Sequence, residues 1–194
     1  MRPTFPLTVR EAIEQDAESL VRLWSTAAER SGRRVAENTL WGLPDVADVA
    51  VALAEQTSRG DGGTWVALRD GAVVAAALAT MSAAIPMTRT RMLIVTDLIV
   101  DPEQRRHGVA RRLLHHLAVH AEENGCEVVM AVVPASAREP ARYFAKLGFG
   151  QVATMRAMST GALRARTGIG DAASATERMV AVRRTLRRRS VPRS

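Results

Sequence analysis

Between Arg91 and Ala118 the chain changes character twice. A β-branched and apolar run, Met92-Leu93-Ile94-Val95-Thr96-Asp97-Leu98-Ile99-Val100, stops at the turn signal Asp101-Pro102. A basic segment follows, Glu103-Gln104-Arg105-Arg106-His107-Gly108, and from Val109 the apolar positions Leu113, Leu114 and Leu117 recur at helical spacing. Such a switch of periodicity across a turn predicts strand, loop and helix in immediate succession. The junction commits the chain to an architecture that mixes strands and helices.

It also predicts an anion site. The first turn of a helix carries backbone N–H groups without intrahelical acceptors and the positive end of the helix dipole. Gly108 lets a ligand approach the main chain, and Arg105, Arg106, Arg111 and Arg112 surround it with positive charge. The alternative is an ordinary strand-to-helix turn with a solvated arginine cluster. The spacing is neither the Gly-x-Gly-x-x-Gly of a dinucleotide-binding turn nor a Walker loop, which would need Gly-Lys-Ser/Thr.

The pattern Arg/Gln-x-x-Gly-x-Gly/Ala, placed after a strand and opening a helix, is matched by Arg105-Arg106-His107-Gly108-Val109-Ala110. In this the chain resembles the GCN5-related N-acetyltransferase (GNAT) family. A second family-like segment, Tyr143-Phe144-Ala145-Lys146-Leu147-Gly148-Phe149, lies one strand and one helix later. The resemblance implies a mixed α/β sheet of six or seven strands with helices on both faces, over roughly residues 7 to 186. It also implies acetyl-CoA as acetyl donor and a primary amine, on a small molecule or a protein, as acceptor. A homodimer is compatible with such a fold.

Carried onto this chain, the resemblance assigns the pyrophosphate to the loop and first turn, Arg105, Arg106, His107, Gly108, Val109, Ala110 and Arg111. The pantetheine and thioester carbonyl fall to the main chain of Leu98, Ile99 and Val100, where two parallel strands splay. Asp97 is the candidate base, with anchoring of the substrate ammonium, a proton relay through water or a loop hydrogen bond as alternatives. The acidic residue that relatives place just before it is Thr96 here. The family's tyrosine acid falls at Phe144, so either Tyr143, about 100° round the helix, is the acid in its place through a shifted helix, or solvent protonates the thiolate of coenzyme A unaided. Ala137 stands where relatives carry a cofactor-contacting Asn. Those two departures keep open a non-catalytic acyl-CoA-binding regulatory protein.

The remaining elements follow from pattern. Leu7 to Arg10 is a first strand, and Glu11 to Ser31 a helix with Ala17, Leu20, Val21 and Trp24 on one stripe. Asp16 is placed to cap or charge that helix start. A helix from Val46 to Thr57 and a hairpin of Thr64 to Arg69 with Ala72 to Met81 precede the central strand. Trp24 and Trp41 are packing residues, with substrate contact as the alternative. After the signature helix, Glu127 to Val133 is apolar enough for burial on both faces. Ser136 to Leu147 is a helix, Gly148 to Met155 a strand, and Glu177 to Leu186 a last strand beyond a Gly, Ala and Ser-rich loop.

With 4% aromatic residues against 47% hydrophobic, the core must be built of aliphatic side chains. Cys126 cannot form an internal disulfide and reads as a small buried hydrophobe rather than a nucleophile. His116 and His120 share a helix face, but no carboxylate or thiol completes a set, so no metal is expected. No segment spans a bilayer and no signal-peptide pattern opens the chain, which makes the cytoplasm the default. Of the net charge of +7, Arg183, Arg184, Arg187, Arg188, Arg189 and Arg193 carry +6. That tail, disordered from 187 to 194 on this reading, is a solvated end by preference and a nucleic-acid or acidic-protein interaction module by alternative.

Overall fold

The computed structural model describes residues 7–30, 45–83 and 89–167. In chain order they form β1 (Thr8–Glu11), α1 (Ala17–Arg30), α2 (Val46–Arg59), β2 (Gly62–Arg69), β3 (Ala72–Ala83), β4 (Arg91–Val100), α3 (Val109–Glu123), β5 (Cys126–Ala131), α4 (Arg138–Lys146) and α5 (Thr160–Thr167). Short 3-10 turns at Glu14–Asp16 and Pro102–Gln104 lead into α1 and towards α3. The chain divides into two units, 1–150 and 151–194, of which the first holds every described strand.

The strands make one sheet in the order β1-β2-β3-β4-β5. Pairing is antiparallel from β1 to β4 and parallel between β4 and β5, as a strand-helix-strand crossover through α3 requires. Each face carries its own core. On one face α3 contributes Val109, Leu113, Leu117 and Ala121 at four-residue spacing, all buried, so that one helical stripe meets the sheet. They join Trp65, Ala67, Ala75, Ala77, Ala79, Leu93, Val95 and Cys126. The alanines of β3 leave room for the leucines of α3, which is how an aromatic-poor chain fills its core. On the other face Leu20, Leu23 and Leu53 of α1 and α2 pack with Ala12, Val66 and Ala76, joined by Trp24 and Ile99.

Two places need a residue without a Cβ or a special backbone. Gly62 sits against β3, where a Cβ would lie 2.5 Å from the Ala79 carbonyl oxygen and 2.8 Å from Thr80 Cα. Gly108 has φ of +75° at the start of α3, a left-handed conformation that an L side chain disfavours.

The strand expected from Gly148 to Met155 does not form, and residues 149–159 carry no regular element. The last expected strand, Glu177 to Leu186, lies outside the described residues, as do Trp41 and the arginine-rich tail. The helix α5 falls in the segment expected as loop. β5 is not buried on both faces: Val129 and Ala131 join the α3-side core, while Val128 is exposed.

At the start of α1, Asp16 is buried and accepts two hydrogen bonds from Arg10, at 2.6 and 2.9 Å, and one from the Ile13 N–H at 2.9 Å. It thus caps the turn and ties it to β1. Burial alone would raise the carboxyl, but the bonds from Arg10 and Ile13 and the guanidinium charge outweigh it and hold the pKa below its ordinary value. A depressed folded-state pKa contributes stability that is present above the unfolded value and lost as the pH falls through the folded one. Asp16→Ala should therefore cost about 2 kcal/mol at neutral pH, between the values for exposed and fully buried pairs. In urea titrations the difference from the parent protein should shrink below about pH 4.

Candidate functional site

The central feature of the site is a misfit in β4. Against β3, Leu78 faces Asp97 and Ala79 faces Val95, so Thr96 is an extra residue, a β-bulge. Its hydroxyl donates to the Leu78 carbonyl at 3.3 Å. Without the bulge, strict alternation would send Asp97 and Ile99 to the face of Leu93 and Val95. With it, Leu98 and Val100 join the α3-side core and Ile99 joins the α1-side core. Asp97 is turned to the face of α1 as well, where the Trp24 indole Nε1–H donates to its Oδ2 at 2.8 Å.

The same residues mark the end of the parallel ladder. β4 and β5 pair from Arg91–Cys126 to Val95–Ala131, and the Val132 N–H still donates to the Val95 carbonyl at 2.8 Å. Beyond that, β4 continues to Val100 with β3 on one side only. Among the described residues the main chain of Leu98 to Val100 therefore presents an edge towards β5 with no ladder partner there, which suits an extended, amide-bearing ligand.

One end of that edge leads to the basic loop. The Asp101 carboxylate accepts from the Glu103 N–H at 2.9 Å and its own N–H donates to the Val74 carbonyl at 2.9 Å. Arg69 of β2 donates to the Gln104 side chain, so the turn is moored to the sheet. Arg106 and Gly108 both take positive φ, +64° and +75°. The first i to i−4 bond of α3 runs from the Arg112 N–H to the Gly108 carbonyl at 3.0 Å. The N–H groups of Val109, Ala110 and Arg111 precede it and have no intrahelical acceptor. No side chain caps this end and no acidic residue lies in the first turn. The donor set of three N–H groups, a helix dipole and exposed arginines suits a phosphate.

The side chains in that loop have different duties. Val109 is buried in the core, so only its main chain faces outward. Arg105, Arg106, His107 and Arg111 are exposed, and Arg105 lies 3.5 Å from the exposed Glu139 of α4, a pair of little energetic weight. His120 at the far end of α3 rests its ring on Trp65 at 4.9 Å. Among the described residues no three His, Cys, Asp or Glu side chains gather as a metal site, and no helix is long and apolar enough to cross a membrane.

On α4, Phe144 and Tyr143 divide the work. Phe144 is buried and packs edge-on against Phe149, with centroids 5.1 Å apart; the ring at the family's tyrosine position is thus an anchor. The Tyr143 hydroxyl is buried and, among the described residues, has no hydrogen-bond partner. Burial pushes its pKa up, and the positive charge of Arg111 in the first turn of α3 offsets part of that. A buried phenol with no acceptor is unusual, since such groups are nearly always satisfied.

Sequence reasoning placed Asp97 on the site and missed its partner. Trp24 and Asp97 are far apart in the chain, and the run from Met92 to Val100 is too uniformly apolar for the bulge to be visible in its pattern. Only the register with β3 reveals it.

The chain matches the model of the acetyltransferase (GNAT) family over residues 19–149, and it belongs to that family. No curated protein sequence gives a match. Its fold is shared by many solved structures. A transcriptional regulator from Bacillus halodurans C-125 superposes with a TM-score of 0.64 at 18% identity, covering 79% of this chain and 99% of that one. Glucosamine-6-phosphate N-acetyltransferase from Arabidopsis thaliana gives 0.63 at 15% identity, with 80% and 99% covered. An aminoglycoside N-acetyltransferase solved in complex with CoA gives 0.64 at 14% identity, with 82% and 98% covered. At these identities the likeness is one of fold.

Tyr143 is the chain's single tyrosine, so its titration can be followed by phenolate absorbance without overlap. The midpoint should lie above the ordinary 10.0, and Arg111→Gln should move it higher still by removing the offsetting charge. Because the folded state holds this proton more tightly, the contribution to stability is full below the unfolded pKa and is lost as the pH rises through the folded one.

Proposed function

We propose that this chain is an N-acetyltransferase that moves the acetyl group of acetyl-CoA to a primary amine by direct attack on the thioester. The observation that carries the reading is the Tyr143 hydroxyl, buried on α4 without a partner and beside the charge of Arg111. A neutral phenol held in reserve is a proton donor for a group that arrives with substrate.

The other parts fit the same chemistry. The Val109, Ala110 and Arg111 N–H groups, with Arg105, Arg106 and His107 around the loop at Gly108, suit the pyrophosphate. The ladder-free edge of Leu98, Ile99 and Val100 suits the amides of pantetheine and the thioester carbonyl, whose oxygen gains charge as the amine adds. Asp97 takes a proton from the incoming ammonium, directly or through water, which frees the nitrogen lone pair. Nitrogen then bonds to the acetyl carbon, the carbon–sulfur bond breaks, and Tyr143 gives its proton to the sulfur. A second proton leaves the nitrogen as the amide forms, so acetyl-CoA and an ammonium become an N-acetyl amide, coenzyme A and one proton. Holding both reactants in one cleft supplies much of the acceleration.

The acceptor is a small-molecule or protein amine, because the fold alone does not select one. The named activities of the two acetyltransferases above, on an amino sugar phosphate and on aminoglycosides, illustrate that range. The arginine-rich tail lies outside this assignment.

Calorimetric titration with acetyl-CoA should give a single site, weakened about tenfold to a hundredfold by Gly108→Asp, which sets a carboxylate against the pyrophosphate and removes one or two charge-assisted bonds. Unchanged affinity in that variant would sink the assignment of the loop. Release of coenzyme A across a panel of amines and peptides should fall about a hundredfold or more in Tyr143→Phe with acetyl-CoA affinity retained. Binding without turnover on every acceptor would instead favour the regulatory reading.

A further inference from the structure

Trp24 lies on α1, which sequence pattern treats as part of the scaffold, yet its indole reaches across to the bulged strand. Its Nε1–H meets Asp97 Oδ2 at 2.8 Å in a partly buried setting. We infer that Trp24 is a positioning residue for Asp97: it holds the carboxylate on the α1 side of the strand split and stabilises its ionised form. The inference rests on the acyl-transfer reading above, which makes Asp97 the group that receives a proton from the amine.

Three features support it. First, the bulge at Thr96 rotates Asp97 out of the α3-side core and towards α1, so the contact exists only because the strand carries its extra residue. Second, the tryptophan is itself fixed. Its ring packs, partly buried, against the core of Leu20, Leu23 and Leu53, and a side chain with two torsions restrained by packing loses little further entropy in holding a partner. Third, the indole is a donor only. It can bond an accepting carboxylate oxygen and can neither take nor relay a proton, so it acts on Asp97 and not on the substrate. Removing a donor from a carboxylate favours its protonated form, and a protonated Asp97 cannot accept from an ammonium.

The pair also links two parts of the fold. Trp24 belongs to α1 and Asp97 to the point where β5 leaves β4. A change in the seating of α1 against the sheet would therefore be felt first as a change in the aim of that carboxylate. The residue that prepares the amine is thereby held by a helix that has no part in the phosphate loop.

The test uses the full chain with Trp24→Phe, which keeps an aromatic ring and removes the donor, and Asp97→Asn. The three tryptophans give three indole N–H signals in a proton–nitrogen correlation spectrum, and the one lost in Trp24→Phe is thereby assigned. That signal should move through a single acidic titration in the parent protein and cease to do so in Asp97→Asn. An indole signal indifferent to both pH and Asp97→Asn overturns the inference without any assay of turnover. With acetyl-CoA and the panel amine turned over fastest, Trp24→Phe should lower kcat about tenfold, the worth of one hydrogen bond to a charged group. The acid limb of its pH profile should move to higher pH while KM for acetyl-CoA and the unfolding midpoint stay near the parent values. A Trp24→Phe protein with parental kcat and pH profile, beside an inactive Asp97→Asn protein, overturns the role of Trp24 and leaves that of Asp97 standing. Full turnover in Asp97→Asn overturns the assignment of the base, and the role of Trp24 with it.

Discussion

Where the parallel ladder between β4 and β5 ends, at Val95 and Ala131, the rest of the candidate site takes its geometry. A strand buried between two neighbours normally satisfies its main chain on both sides. Here β4 keeps β3 to Val100 and loses β5 after Val95, at the point where Thr96 bulges. The two events belong together, because an extra residue bends and twists the strand that contains it. One insertion therefore opens a main-chain edge and moves Asp97 to the face of α1.

The helix that follows depends on the same edge. α3 begins where the loop from β4 has turned, and its seating is set by Val109, Leu113 and Leu117 in the core. Those side chains fix the helix axis, and the N–H groups of the first turn point along it towards the loop, beside exposed arginines. The placing of those N–H groups beside the loop thus follows from core packing on the other side of the same turn. Conserving helix register and conserving the site are one requirement.

A similar division of labour appears on α4. Phe144 and Tyr143 are consecutive and so about 100° apart round the helix, which lets one ring pack against Phe149 while the other carries a buried hydroxyl that feels the charge of Arg111. The position where relatives carry their tyrosine thus serves packing here, and the proton-bearing group is its neighbour. The chain's single tyrosine stands at this point, on a helix otherwise rich in charged residues, with its hydroxyl buried and, among the described residues, unpartnered.

Much of this was legible in the residues alone. The β4-loop-α3 junction, the hairpin of β2 and β3 and the helix α4 follow from local periodicity and turn chemistry, which depend on neighbours a few positions apart. The family resemblance rested on two such local motifs. The tertiary structure decided what needs contacts between distant positions: the bulge at Thr96, visible only in register with β3; the bond from Trp24 to Asp97; and the exposure of Val128 on β5, whose apolar sequence suggested burial on both faces. The segment after Gly148, where local pattern suggested a strand, shows the same limit, since a strand exists only when another segment pairs with it. Short-range sequence determined the elements of the β2-to-α4 run and where the basic loop lies, because those depend on neighbours; long-range packing decided which suggested segments become strands and which side chains meet across the fold.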